Sequence, residues 1–221
     1  MNKLIIPPKI ERLFEKNPFL FTRGHDFVEI GGIKWATCNV GAKCPTDPGF
    51  YFQWGDTMGY TAKQVGIGEG KKHFGWKDYK YCENGLLKYN FNDNKTVLSI
   101  EDDAAHVNWG GAWRMPTIEE LAILCSSKTL WTDDYHGSGV AGVICTDKTD
   151  SSKELFLPAI GCCRNGHTDF IGYAGCYLSK TLNMSFPSYC HDVTFSDMTK
   201  TLIQNEHERC RGQAIRGVLD I

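Results

Sequence analysis

Apolar residues in this chain come in strand-length runs cut by glycine and other turn formers. No run is long enough for a membrane-spanning helix, which needs about 20 apolar residues. FVEIGGIKWATCNVG alternates about Gly31-Gly32, the pattern of a β-hairpin. Asp47-Pro48-Gly49 forms a turn ahead of the aromatic strand FYFQWG. Beyond Trp131 the short strands GVICTD, ELFLPAIG, GCYLS, DVTF and AIRGV follow one another between turns. Only two segments carry helix-start signals. Ser99-Ile100-Glu101-Asp102 has the serine-to-acid spacing of a capping box and predicts a helix running to Gly110-Gly111. Thr117 to Glu120 repeats the box, with Leu121, Leu124 and Cys125 continuing an apolar face. The pattern predicts an α+β fold, two helices packed on short antiparallel sheets with long loops. The longest loops fall at 56–95, polar and rich in glycine, lysine and tyrosine, with Trp76, Tyr79 and Tyr89 as anchors.

A chain of 221 residues with no repeat and no linker is read as one domain over 26–221. Residues 1–25, broken by Pro7-Pro8 and Pro18, read as an extension for docking or assembly. Its apolar stretch is shorter than the roughly 7–15 residues of a secretory signal, so Sec export is not expected. A net charge of −2 favours neither a nucleic acid nor an anionic membrane surface as partner. Ten cysteines without a CxxC pair suit neither a zinc site nor a disulfide framework, so reduced thiols and no metal or cofactor are expected.

The last sixty residues hold a different kind of information. A regular frame (FLPAIG, RNG, G-x-Y-x-S, TLN, FP, then R-x-R-G-Q-A-I-R-G-V) is interrupted by residues of no common chemistry. These include Cys162, Cys163, His167, Asp169, Phe170, Cys176, Phe186, Tyr189, Cys190, His191 and Cys210. An enzyme site converges on a few matched groups, whereas a recognition surface with changing targets resembles this scatter. Phe170, Tyr173, Phe186 and Tyr189 are the candidate anchors of such a face. His167, Asp169, Ser188, His191, Asp192, Thr194 and His207 would supply polar contacts, with Cys163, Cys176 and Cys210 among the variable positions. Tyr173 and Tyr177 read equally well as core, while Phe156 and Phe195 read as core. All six tryptophans lie between 35 and 131, outside the scattered segment.

IKWATCNVGA, GFYFQWGDT, EDDAAHVNWGGAWRMPTIEEL, LFLPAIG with RNG, and RCRGQAIRGV follow in that order. Together they resemble the Fibrobacter succinogenes major paralogous domain family over roughly residues 26–218. The resemblance implies a C-type-lectin-like fold of the formylglycine-generating-enzyme-like branch. It also implies kinship with the variable proteins of diversity-generating retroelements in phages and gut bacteria. In those proteins, adenines of the C-terminal coding repeat are randomised and the altered residues form a ligand-binding face. Cys176 and Cys210 stand where the family often carries tyrosine, and Phe186, Ser188, Tyr189, Asp192 and Thr194 where it often carries asparagine. All are reachable by adenine changes, whereas Met198, Lys200, Gln204, Glu206 and Glu208 are not reachable from asparagine. The function implied is non-enzymatic receptor binding through a variable region at about 162–211. The partner would be a cell-surface protein or glycan, and the setting a phage virion in which residues 1–25 could contact other assembly proteins.

The alternatives are a fixed-specificity adhesin or structural domain of the same family, and, more remotely, a formylglycine-generating-type oxidase. That oxidase uses a close cysteine pair, which Cys162-Cys163 and Cys210 do not reproduce in sequence. Asp102, Asp103 and His106 could share a helical face and hold a metal, but helix capping accounts for Asp102 and a core hydrogen bond for His106. Neither EPN nor WND occurs, so no calcium site is implied.

Overall fold

The computed structural model describes Glu15 and residues 22–221. The expectations for the N-terminal extension fall almost entirely outside the described residues. The architecture is α+β, with far more strand than helix. Strands β1 (Phe27–Ile30) and β2 (Ile33–Ala36) form the expected hairpin, its Gly31 and Gly32 both at positive φ. Near the C-terminus β12 (Val218–Leu219) inserts between β2 and β3 (Trp113–Arg114), giving a sheet of order β1-β2-β12-β3. The end of the chain thus completes a sheet begun by its first hairpin.

Two three-stranded antiparallel sheets follow. One is β4 (Lys128–Thr132), β5 (Gly142–Thr146) and β6 (Glu154–Pro158). The other has the order β11-β10-β9, from Ile203–Glu208, Tyr189–Ser196 and Ala174–Leu182. A small hairpin, β7 (Cys162–Arg164) and β8 (His167–Asp169), joins them in sequence. FYFQWG forms isolated bridges rather than a strand, Tyr51 to Tyr60 and Phe52 to Gln213.

The helix α2 (Ile118–Cys125) begins as its sequence predicts. Thr117 Oγ1 accepts from Glu120 N at 3.3 Å, and Glu120 Oε2 accepts from Thr117 N at 2.8 Å. Leu121 and Leu124 pack with Val193, Phe195 and Tyr177 of the β9–β11 sheet. The first helix departs from expectation. Ser99 precedes only a single 3-10 turn, and α1 spans Ala104–Trp109 with Asp103 as its cap. Asp103 Oδ1 accepts from His106 N at 3.0 Å and from Met115 N at 2.9 Å, so one buried carboxylate ties the helix start to the next strand. His106 Nδ1 lies 3.1 Å from Trp113 O.

Asp102 does not cap a helix. It is buried and receives Tyr81 and Lys80 on one oxygen, Tyr89 and Lys88 on the other. Burial alone would raise its carboxyl, but hydrogen bonds from Lys88, Tyr81, Tyr89 and Lys80 outweigh that and hold it at about 2. The long loops are therefore pinned through a charge rather than through aliphatic packing.

Arg209 continues the same construction. Fully buried, it donates to Tyr79 Oη (2.8 Å), Tyr89 O (2.9 Å), Lys88 O (3.1 Å) and Pro187 O (2.9 Å), with its guanidinium 4.7 Å from the Trp54 ring. One side chain thereby ties the loop at 79–89 to the β9–β10 turn. Arg216 plays a similar part on the other side, bonding Asn39 and the carbonyls of Ala36, Thr37 and Phe156. Two arginines of the R-x-R-G-Q-A-I-R-G-V frame, Arg209 and Arg216, are buried cross-ties, while Arg211 is half-buried and pairs locally with Glu208.

Candidate functional site

The alternation of side chains across a strand divides the scattered C-terminal residues between interior and surface. Phe170 (65% exposed), Tyr173 (63%), Phe186 (64%) and Tyr189 (37%) stand outward, and His167 is exposed. Asp169, Ser188, His191, Thr194 and His207 are half-buried. Four expected members of the face are not on it: Cys163, Cys176, Asp192 and Cys210 are all buried. Each has a local cause. Cys163 follows Cys162 on β7 and so points the other way, into the core beside Phe74 and Gly212. Cys210 sits between Arg209 and the Gln53 amide, which donates to its carbonyl at 2.8 Å. Burial pushes both thiols up to about 12. Cys176 and Asp192 lie beneath the hairpin and β11, within the cluster described below. Tyr177 is core as well, its hydroxyl donating to Pro158 O at 2.9 Å.

The exposed residues fall into two groups. The first follows β8. Phe170 has φ +64, a conformation that side-chain-bearing residues rarely adopt. The turn it starts is closed by Tyr173 N and Ala174 N on Phe170 O, at 3.0 and 2.9 Å. Phe170, Ile171 and Tyr173 are all turned outward, and Ile171 edges an apolar hollow of about 270 Å³ that also includes Pro48, Val140 and Pro158. The second group is the β9–β10 turn. Asn183 Oδ1 accepts from Ser185 N and Phe186 N, and Ser188 O from Arg209 N at 3.0 Å, leaving Phe186 and Tyr189 exposed. Ser188 and Pro187 line a shallow groove with Leu86, Asn90 and Phe91.

Between these groups, the strands bring chemistry together. Asp192 Oδ2 accepts from His207 Nδ1 at 2.7 Å and Gln213 Nε2 at 2.9 Å. Asp192 Oδ1, also buried, accepts no hydrogen bond from the described residues. The Cys162 and Cys176 thiols lie close enough to act on each other, with His207, Arg211, Asp169 and Asp192 close enough to act on them electrostatically. The contact with Cys176 is the main cause of a Cys162 thiol lowered to about 7; burial opposes it, and His207 and Arg211 add to it. Cys176 moves in the opposite direction, raised first by its contact with Cys162 and then by burial. On the opposite face of the same sheet, His191 Nδ1 lies 3.4 Å from Glu206 Oε1 beside Asn183 and Glu119. Sequence reasoning placed Cys176, Asp192 and His207 on a binding face but did not link Cys162 to Cys176. They are fourteen positions apart, and no local spacing signals the pairing.

No family model, curated protein or solved structure matches this chain. Among the described residues no helix is long and apolar enough to cross a membrane.

Proposed function

We propose that the chain is a non-enzymatic recognition domain with a C-type-lectin-like fold. Its exposed C-terminal residues contact a receptor on a cell surface, most naturally from a phage virion. The observation that supports the reading is where apolar side chains meet solvent. Of the seventeen exposed large hydrophobics among the described residues, eight (Phe170, Ile171, Tyr173, Met184, Phe186, Tyr189, Met198 and Ile203) lie in the 34 residues from 170 to 203. Exposed apolar side chains gathered in one stretch of chain support a contact surface there, the kind of surface on which apolar patches are left uncovered. Phe170, Tyr173, Phe186 and Tyr189 act as anchors, while His167, Asp169, Ser188, His191, Thr194 and His207 supply adaptable polar contacts. The buried Cys163, Cys176, Asp192 and Cys210 take no direct part.

Retroelement-driven diversification accounts for the chemical disorder of the exposed set. Sequencing the locus across a population tests it: changes confined to codons of the exposed residues, and to adenines of a nearby near-copy, are expected. Changes spread evenly over the gene overturn it. Binding of the labelled protein to whole cells, with protease-treated and periodate-treated cells as separate arms, assigns the receptor to protein or glycan. Binding unaffected by alanine at Phe170, Tyr173, Phe186 and Tyr189 together overturns the assignment of the face.

A further inference from the structure

Gly161 and Gly175 form a parallel bridge between the start of β7 and β9, with Gly161 N donating to Ala174 O at 2.7 Å. A Cβ on Gly161 would lie 2.0 Å from Asp169 O, and one on Gly175 2.3 Å from the Phe195 ring. Both positions therefore require glycine, Gly161 against the end of β8 and Gly175 against the Phe195 ring of β10. The next residue on each strand is a cysteine, and immediately beyond them residues 212–214 enter between the strands, bridging Cys163 and Tyr177. Cys162 also pairs with Asp169 across the small hairpin, and Cys176 with Thr194 across the central sheet. We propose that Cys162 and Cys176 form a redox-active thiol pair that closes to a disulfide by exchange with small-molecule disulfides, locking the β7–β8 hairpin onto β9.

The two cysteines are unequal in the way such exchange requires. Cys162 is half-buried and open to a reagent, whereas Cys176 is nearly covered. The groups that face Cys162 are Cys176 from β9, His207 from β11, Arg211 and Asp169; Asp192 from β10 acts on Cys176. The contact with Cys176 and the positive charges favour the thiolate, while Asp169 opposes it. The Cys162 thiolate attacks one sulfur of glutathione disulfide, the S–S bond breaks, and one glutathione thiolate leaves. That step takes away the Cys162 thiolate, whose contact with Cys176 is the first influence disfavouring ionisation of Cys176, ahead of burial. Cys176 then gives up its proton, attacks the Cys162 sulfur and expels the second glutathione thiolate. The protein loses two electrons, glutathione disulfide gains them, and the two thiol protons leave with two molecules of glutathione. Cys125 and Cys145 provide a contrast: burial pushes these thiols up to about 11 and 12.

Locking the hairpin affects the exposed turn that follows it. Phe170, Ile171 and Tyr173 lie between β8, held through Cys162, and β9, held through Cys176. Oxidation would therefore order the apolar end of the candidate face, and the thiol state would follow the redox poise of the surroundings.

The test uses the full chain, reduced and then exposed to glutathione disulfide near neutral pH, quenched in acid and mapped by peptide mass spectrometry. The expected product is a Cys162–Cys176 cross-link two hydrogens lighter than the dithiol, with Cys125 and Cys145 still reduced. In Cys176→Ser, glutathione should remain attached at Cys162. Alkylation of wild-type Cys162 should reach half its maximal rate near pH 7. Modification of the exposed Cys44 alone, with Cys162 and Cys176 intact, would overturn the proposal. So would cross-links formed indiscriminately among the ten cysteines. The wild-type map decides the matter even if the serine variant fails to fold.

Discussion

Replacing Asp102 with alanine should unfasten the long-loop region, and the contacts bound the size of the effect. Removing one partner of a buried ion pair typically costs about 3–5 kcal/mol. Here several partners keep a second contact. Lys88 retains Glu101 at 3.2 Å, the Tyr89 hydroxyl still accepts from Ser99 N at 2.9 Å, and Lys80 is open enough to rehydrate. The loss should therefore fall below that range, at about 2–3 kcal/mol, against a total stability of about 5–15 kcal/mol for a domain. At about 2–4 °C per kcal/mol for this chain length, the melting temperature drops by about 4–12 °C. Urea unfolding followed by tryptophan fluorescence measures it. The acid side adds a second readout. The folded carboxyl lies at about 2, below its ordinary 3.8, so its contribution is complete above about pH 4 and lost as pH falls towards 2. Wild type should lose its advantage over Asp102→Asn across that window. A variant within about 0.5 kcal/mol of wild type, or an identical acid slope, would refute the argument.

Two further outcomes follow from the exposed turn and the thiol pair. Phe170→Gly relieves a left-handed backbone that costs a side-chain-bearing residue about 1–2 kcal/mol, offset by about 0.5–1 kcal/mol of glycine entropy. Urea unfolding should show a change between zero and a gain of about 1.5 kcal/mol, while receptor binding falls. Closing the Cys162–Cys176 bridge encloses a loop of about 15 residues, worth about 3 kcal/mol in the chain-entropy model. The oxidised protein should melt about 6–12 °C above the reduced one, as a thermal scan with and without reductant would show.

How much of this was legible in the sequence depends on how local the signal is. The Gly31-Gly32 hairpin and the Thr117 helix follow from interactions within four residues, and both stand as expected. The Ser99 box misled because adjacent acids compete: Asp103 caps the helix while Asp102 turns into the loop cluster. The outward aromatics Phe170, Phe186 and Tyr189 were visible as breaks in the frame. The cysteines were not separable by that criterion. A three-residue strand such as Cys162–Arg164 is too short to display its alternation, so Cys163 could not be told from its neighbour. The Cys162–Cys176 pair depends on the bridge between Gly161 and Gly175, fourteen positions apart. The partners of Arg209 come from the 79–89 loop, the β9–β10 turn and Trp54, and no spacing encodes them.

The most direct measurement compares one interior substitution with four surface ones in the same urea titration. Phe156→Ala empties a fully buried site whose ring stacks on Tyr135 at 3.9 Å, and should cost about 3–5 kcal/mol. Serine at Phe170, Tyr173, Phe186 and Tyr189 together should cost less than about 2 kcal/mol, at about 0.5 kcal/mol each. A fourfold variant as destabilised as Phe156→Ala would mean that these aromatics hold the fold together, leaving no interchangeable face.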